Sequence, residues 1–244
     1  MDPRNLFVDQ RLTGFCVFCG AEPQSRDHCP SKVLLDEPFP ADLDLPVVEA
    51  CETCNTSFSK DEQYVACLIE CALCGSAEPA QVQRPKIKRI LQENPKLTTR
   101  LQTSRKTDNG GQVIWEVDRD RVRQVVLKLA RGHIAYELSL PKLEEPHLVE
   151  FLPFVAMTVE RRSAFENPAS SEIAPWPEIG SRAFLRSLVV SNQVYHDDGW
   201  IVVQPGRYRY LVTQTNGDVV QIVFCRVIPS ALSSSSATLR FPLR

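Results

Sequence analysis

The chain has 244 residues, 43% hydrophobic and 24% charged, with a net charge of −2 and nine cysteines. That length supports one large domain or two small ones with a real core, and the composition excludes a disordered or fibrous chain. No apolar run approaches the ~20 residues of a membrane span, and residues 1–5 lack the basic-then-apolar start of a signal peptide, so a cytoplasmic protein is expected.

In chain order, residues 1–15 read as a lead-in with a short strand through Leu6-Phe7-Val8. Two Cys-x-x-Cys pairs follow, Cys16/Cys19 and Cys51/Cys54. The loop between them carries Pro23, Pro30, Pro38, Pro40 and Pro46, which leaves no room for long regular structure. Val47-Val48 predicts a short strand running into Cys51. Ser59-Lys60-Asp61-Glu62 has the form of a capping box, and Tyr64, Cys67, Leu68 and Cys71 make one helical face behind it. A helix start nearer Thr56 is the alternative, because it would set Asn55 on the rim.

The next stretch holds Arg84, Lys86, Lys88, Arg89, Lys96, Arg100, Arg105 and Lys106 against one acid, Glu93. Apolar residues interleave at helical spacing, and Pro95 divides the stretch into two short helices. Asp108-Asn109-Gly110-Gly111 reads as a turn and Val113–Val117 as a strand. Residues 120–138 predict a long helix with Val122, Val125, Val126, Leu129 and Ile134 on its buried side. Beyond Pro146 the texture turns to strands, at 200–204, 207–214 and 219–227, with Asn216-Gly217 as the hairpin turn between the last two. The Ser233–Ser236 run and the tail read as disordered or weakly ordered. The expected class is α+β, divided into a zinc-bound lobe at 1–80, a basic helical region at 81–145 and a β-rich region at 146–244.

Charge is distributed unevenly along these segments. Residues 1–80 hold 5 Lys/Arg against 14 Asp/Glu, whereas residues 81–136 hold 13 against 5. The basic middle is the footprint of a segment that meets phosphates; the plainer reading is a solvated helix face. Arg119, Arg121 and Arg123 would add to such a grip.

Four thiolates in two x-x-spaced pairs make a closed tetrahedral zinc site, which is structural because it leaves no position for substrate. Cys67, Cys71 and Cys74 recur at helical spacing without a fourth ligand and read as core, and Cys29 as incidental. Inside the zinc loop lies Asp27-His28, and Asn55 follows the last cysteine. Phosphodiester hydrolysis needs a base to deprotonate water and a cation to stabilise the reacting phosphate. Imidazole is a base suited to neutral pH. A hard cation such as Mg²⁺ or Mn²⁺ takes a carboxylate and neutral oxygens, which Asp27 and Asn55 offer.

The combined string Cys16-x-x-Cys19, Asp27-His28, Cys51-x-x-Cys54-Asn55 resembles the HNH (His-Me finger, ββα-metal) endonucleases, in the zinc-stapled branch that includes phage recombination endonuclease VII. The resemblance covers about residues 14–72. It implies a β-hairpin and helix gripping one divalent ion, with His28 as general base and Asp27 and Asn55 as ligands of the catalytic metal. Cys16, Cys19, Cys51 and Cys54 would hold the structural zinc. Leu45-Pro46 stands where many members carry a loop-pinning asparagine. DNA is the expected substrate, left with 5′-phosphate ends; RNA stands beside it, because the catalytic groups do not read the sugar. Grip would come from the eight basic residues between Arg84 and Lys106, and affinity would fall by ~10³ or more between 50 and 200 mM salt.

The rival reading is a non-catalytic zinc module that binds nucleic acid or a protein partner. Within it His28 is structural and Asn55 caps a helix. The β-rich region shows no chemistry of its own, and homodimerisation or a protein partner there stay open.

Overall fold

The prolines between the two cysteine pairs leave only short segments free to pair, and the first hairpin is correspondingly small. In the computed structural model, which describes residues 14–39, 45–111, 113–167, 181–183, 199–214, 217–224 and 235–240, β1 (Ser25–His28) lies antiparallel to β2 (Val47–Ala50). The register sets Asp27 opposite Val48 and His28 opposite Val47. The strand expected at Leu6-Phe7-Val8 lies outside the described residues. Strand β2 enters α1 (Glu52–Ser57), which passes through the helical backbone of Phe58 into α2 (Ser59–Cys74).

Two expectations change here. Ser59 does not cap a helix, because helical backbone already runs through Phe58 at φ −75° and ψ −21°. The cap is Cys51, whose Sγ accepts the Cys54 N–H at 3.3 Å. Asn55 is neither a cap nor a residue before the helix. Its N–H donates to Cys51 O at 3.0 Å, inside the first turn. Helix α2 stops at Gly75, whose φ of +70° is a left-handed cap that suits glycine.

The basic stretch forms two helices, α3 (Pro85–Glu93) and α4 (Pro95–Ser104), each opening on a proline where the missing N–H does no harm. A small hairpin, β3 (Arg105–Thr107) and β4 (Val113–Trp115), leads to α5 (Arg119–Leu138). Tyr64 on α2 fixes the start of α5 by accepting the Asp118 N–H on its hydroxyl at 2.9 Å.

Beyond α5 an antiparallel sheet has the order β5 (Leu148–Pro153), β9 (Ser235–Arg240), β8 (Asp218–Phe224), β7 (Tyr208–Gln214), β6 (Ile201–Gln204). Helix α6 (Val159–Glu166) interrupts what was expected to be a run of strands. The serine-rich tail is a correction. Ser235–Arg240, read as weakly ordered, is an inner strand with β5 on one side and β8 on the other. Pairing on both edges supplies the order that its side chains do not advertise. Asn216 lies outside the described residues, but Gln214 pairs with Asp218 across the expected hairpin.

One apolar core contains Cys29 and Leu34 from the zinc loop, Tyr64 from α2, Leu91 from α3, Leu129 from α5, and Tyr208 and Ile222 from the sheet. All three sequence segments therefore share it. A smaller cluster lies under the cysteine pairs, where Val17, Phe18 and Val48 meet Ala135 and Tyr136 of α5. Helix α5 is common to both clusters and is the spine of the molecule. No described helix is long and apolar enough to cross a membrane.

Candidate metal centre and cleft

The four Sγ atoms of Cys16, Cys19, Cys51 and Cys54 all lie within 4.8 Å of one another, a grouping that could hold a metal ion such as zinc. Backbone bonds make the geometry. Gly20 N–H donates to Cys16 O at 2.8 Å, closing the first knuckle with Gly20 at φ +79°. Val17 N–H donates to Glu49 O at 3.0 Å, which ties that knuckle to β2 and so to the second pair. The Cys54 amide lowers Cys51 to about 7. Cys54 itself is pushed up by burial and by the Cys19 and Cys51 sulfurs. One thiolate therefore forms readily and the neighbouring thiol resists. A soft-ligand cation is what such a set needs to lose its remaining protons, so the donor set fits zinc.

Asp27 and His28 end β1, and Asn55 faces them from α1. The Asn55 amide nitrogen donates to Ser25 Oγ at 3.1 Å and Arg26 O at 3.4 Å, and its carbonyl oxygen has no hydrogen-bond partner among the described residues. The loop after His28 is pinned at Leu45-Pro46. Cys29 N–H donates to Pro46 O at 2.7 Å, and Leu45 is buried in the main core.

Asp27, His28 and Asn55 line one cleft of about 900 Å³. Its other lining includes Lys32, Lys60 and Glu62 on the lobe side, Asn94, Lys96 and Arg100 from the start of α4, and Arg121 from α5. Of the eight basic residues singled out in the sequence, Lys96 and Arg100 reach this cleft. Lys86 lies 3.7 Å from Glu37, Arg105 donates to Gly75 O at 2.8 Å, and Lys88, Arg89 and Lys106 stand elsewhere on the surface of α3 and β3.

Arg84 is a correction. Its side chain is 13% exposed and pairs with Asp36 at 2.9 Å and Glu70 at 3.4 Å. It also donates to Val33 O at 3.2 Å and to Leu35 O. Arg207, from the turn before β7, joins the same acids, reaching Glu70 at 2.6 Å and Leu34 O at 2.9 Å. Gln204 adds a two-way clamp on the Asp36 backbone, at 2.8 and 3.0 Å. Arg84 is thus a strut between the zinc loop and the sheet, and the β-rich region buttresses that loop.

Behind the cleft lies a charge cluster that sequence reading missed. Lys128 of α5, 1% exposed, places its ammonium 2.7 Å from Asp27 Oδ2 and 3.0 Å from Ser31 Oγ, and pairs with Glu62. Asp27, Ser31 and Glu62 are themselves at most 7% exposed. Burial opposes the lysine's charge, but Glu62 and Asp27 outweigh it and raise its pKa. Glu62 reads from sequence as a helix-terminus acid, and Lys128 as one more base on a long helix. The available signal was periodic: Lys128 falls among the apolar positions of α5 and so points inward.

Cys29 is not incidental either. It is fully buried, donates to Leu129 O at 3.2 Å, and burial pushes its thiol well above the usual range. Gly132 permits the approach, since a Cβ there would stand 2.5 Å from Cys29 Sγ. His133, on the same helix, is fully buried, bonded to the Tyr208 hydroxyl at 2.7 Å and stacked on Tyr210. Cys67 and Cys71 are core residues, as expected.

Comparison with protein-family models, with curated proteins and with solved structures returns no match to this chain.

Proposed function

We propose that this protein is a metal-dependent endonuclease of the HNH kind, hydrolysing phosphodiester bonds in DNA. One observation carries the reading. Asp27, His28 and Asn55 open into the same cleft as Lys96, Arg100 and Arg121, so base, oxygen ligands and phosphate-binding cations share one space. The Asp27 carboxylate and the Asn55 carbonyl are the hard donors that would hold Mg²⁺ or Mn²⁺. Such an ion, when bound, supplies charge stabilisation to the reacting phosphate and the departing oxygen.

The chain's own groups do the rest. His28 accepts a proton from water as the water oxygen bonds to phosphorus. The P–O3′ bond breaks, and the leaving oxygen takes a proton from solvent. Lys96, Arg100 and Arg121 neutralise the flanking phosphates. The four thiols, none of which lines the cleft, would hold a zinc ion in a structural role.

The rival, a zinc module without catalysis, has its own support, because Asp27 is already paired with Lys128 and Asn55 with β1. Plasmid nicking separates the two. Wild type with Mg²⁺ or Mn²⁺ is expected to cleave, EDTA to stop it, and His28→Ala to lower the rate by ~10²–10⁴ with no change in melting temperature. Lys96→Ala should weaken binding and flatten its salt dependence by about one phosphate's worth. Arg84→Ala should instead lower the melting temperature. A folded, zinc-loaded wild type that cuts neither DNA nor RNA overturns the proposal.

A further inference from the structure

Asp27 is at once the nearest carboxylate to His28 in sequence and the partner of a buried lysine. Those two roles compete. Lys128 reaches it from behind, through α5, whereas a dissolved cation would reach it from the cleft, which Asp27 lines and Lys128 does not. Losing one of its partners does not strand the lysine. Its ammonium keeps Glu62, Ser31 Oγ at 3.0 Å, and the Phe58 ring at 5.4 Å. A buried ammonium left with no partner would be prohibitive, and one that retains a carboxylate, a hydroxyl and an aromatic face is not. Two carboxylates and one ammonium leave the cluster itself at −1, so Lys128 does not fully compensate the acids beside it.

We propose that Lys128 is a built-in competitor for the divalent cation at Asp27, and that Glu62 with Ser31 holds its ammonium when the cation takes that carboxylate. This rests on reading Asp27 as a ligand of the catalytic ion. Lys128 is a positioning residue: it keeps Asp27 compensated and fixed without the ion, and it limits how tightly the ion is held. Glu62 works in the opposite direction, by giving the lysine somewhere else to go.

The two residues therefore predict changes of opposite sign, which a merely structural role does not. Mn²⁺ is titrated calorimetrically into the zinc-loaded full-length protein, with thermal melts run with and without Mn²⁺. Lys128→Met should bind Mn²⁺ roughly tenfold tighter or more, as removal of a like charge at close range requires, and should show the larger Mn²⁺-induced rise in melting temperature. Glu62→Gln, which keeps the shape and an acceptor, should bind more weakly by a similar factor. Asp27→Asn should abolish the signal. Weaker or unchanged binding in Lys128→Met overturns the proposal, as does the absence of Mn²⁺ binding to wild type. Should Lys128→Met not fold, Lys128→Gln takes its place: tighter binding supports the proposal, and unchanged or weaker binding overturns it. Plasmid cleavage is scored separately. Opposite shifts without cleavage leave this proposal standing and remove the nuclease reading; cleavage with both variants weakened does the reverse.

Discussion

The four thiols and the Asp27 cluster pose the same electrostatic problem and meet it differently. Each gathers acidic groups, in the first case Cys16, Cys19, Cys51 and Cys54 and in the second Asp27 and Glu62. In the thiol set the Cys54 amide and the neighbouring sulfurs favour the Cys51 thiolate, while burial and the same neighbours hold Cys54 protonated. The carboxylate set carries Lys128, brought by a helix a hundred residues along the chain. The first arrangement depends on what the solution supplies and is built by two short turns. The second is compensated from within and depends on α5 being seated against the hairpin. The first site would thus be held by ligation, whereas the second is held by packing and internal ion pairs.

Removing the ligation is the most severe way to break that contrast. Chelating zinc or making Cys51→Ala should forfeit metal-linked folding energy on the order of 10 kcal/mol, as in small zinc-dependent folds. Amide exchange should then lose protection around the two knuckles, at residues 16–21 and 48–57, while Cys29, α5 and the five-stranded sheet keep theirs. Uniform loss across the chain would show that the two ends are not independent.

Acid should strike the packed end instead. Burial pushes His133 down to about 3, whereas in the unfolded chain it titrates near the ordinary 6.5. Between those values the unfolded state binds the proton and the folded state does not. Its contribution is therefore fully present above pH ~6.5 and is lost as pH falls toward 3, amounting to about 4–5 kcal/mol over that window. Urea melts across this range should show the slope, and His133→Gln should flatten it. A slope unchanged in that variant would assign it to other groups.

The smallest change tests the seam between the ends. In an exposed helix Gly→Ala stabilises by about 1 kcal/mol. At Gly132 the added Cβ would meet Cys29 Sγ at 2.5 Å and Cys29 Cβ at 3.1 Å. Overpacking of that kind costs about 1–3 kcal/mol, so the sign should reverse. Gly132→Ala should lower the melting temperature, and adding Cys29→Ala should recover part of it. A more stable single variant would mean that the hairpin is not seated on α5 as described.

Legibility in the sequence followed the range of the interaction. Helices α3, α4 and α5 were readable because apolar spacing, Pro95 and helix length are local signals. The three strands β6, β7 and β8 showed themselves by β-branched runs. Strand β9 did not, since a serine-rich segment becomes a strand only when β5 and β8 are there to pair with it. Cys51 as a helix cap was also hidden, because a thiol is not among the usual capping residues.

By itself, then, the sequence determined the two cysteine knuckles and the placing of Asp27, His28 and Asn55 around them. Those features rest on spacings of a few residues and on one hairpin. It also marked a basic middle segment, but not which of its charges face a shared space. The tertiary structure turned Arg84 inward onto Asp36 and Glu70, sent Lys96, Arg100 and Arg121 to the cleft, and set Lys128 behind Asp27. Side chains of one sign look alike along a chain. Only the packing of α5 against the hairpin and the sheet decides which of them meet water, which meet a carboxylate, and which meet each other.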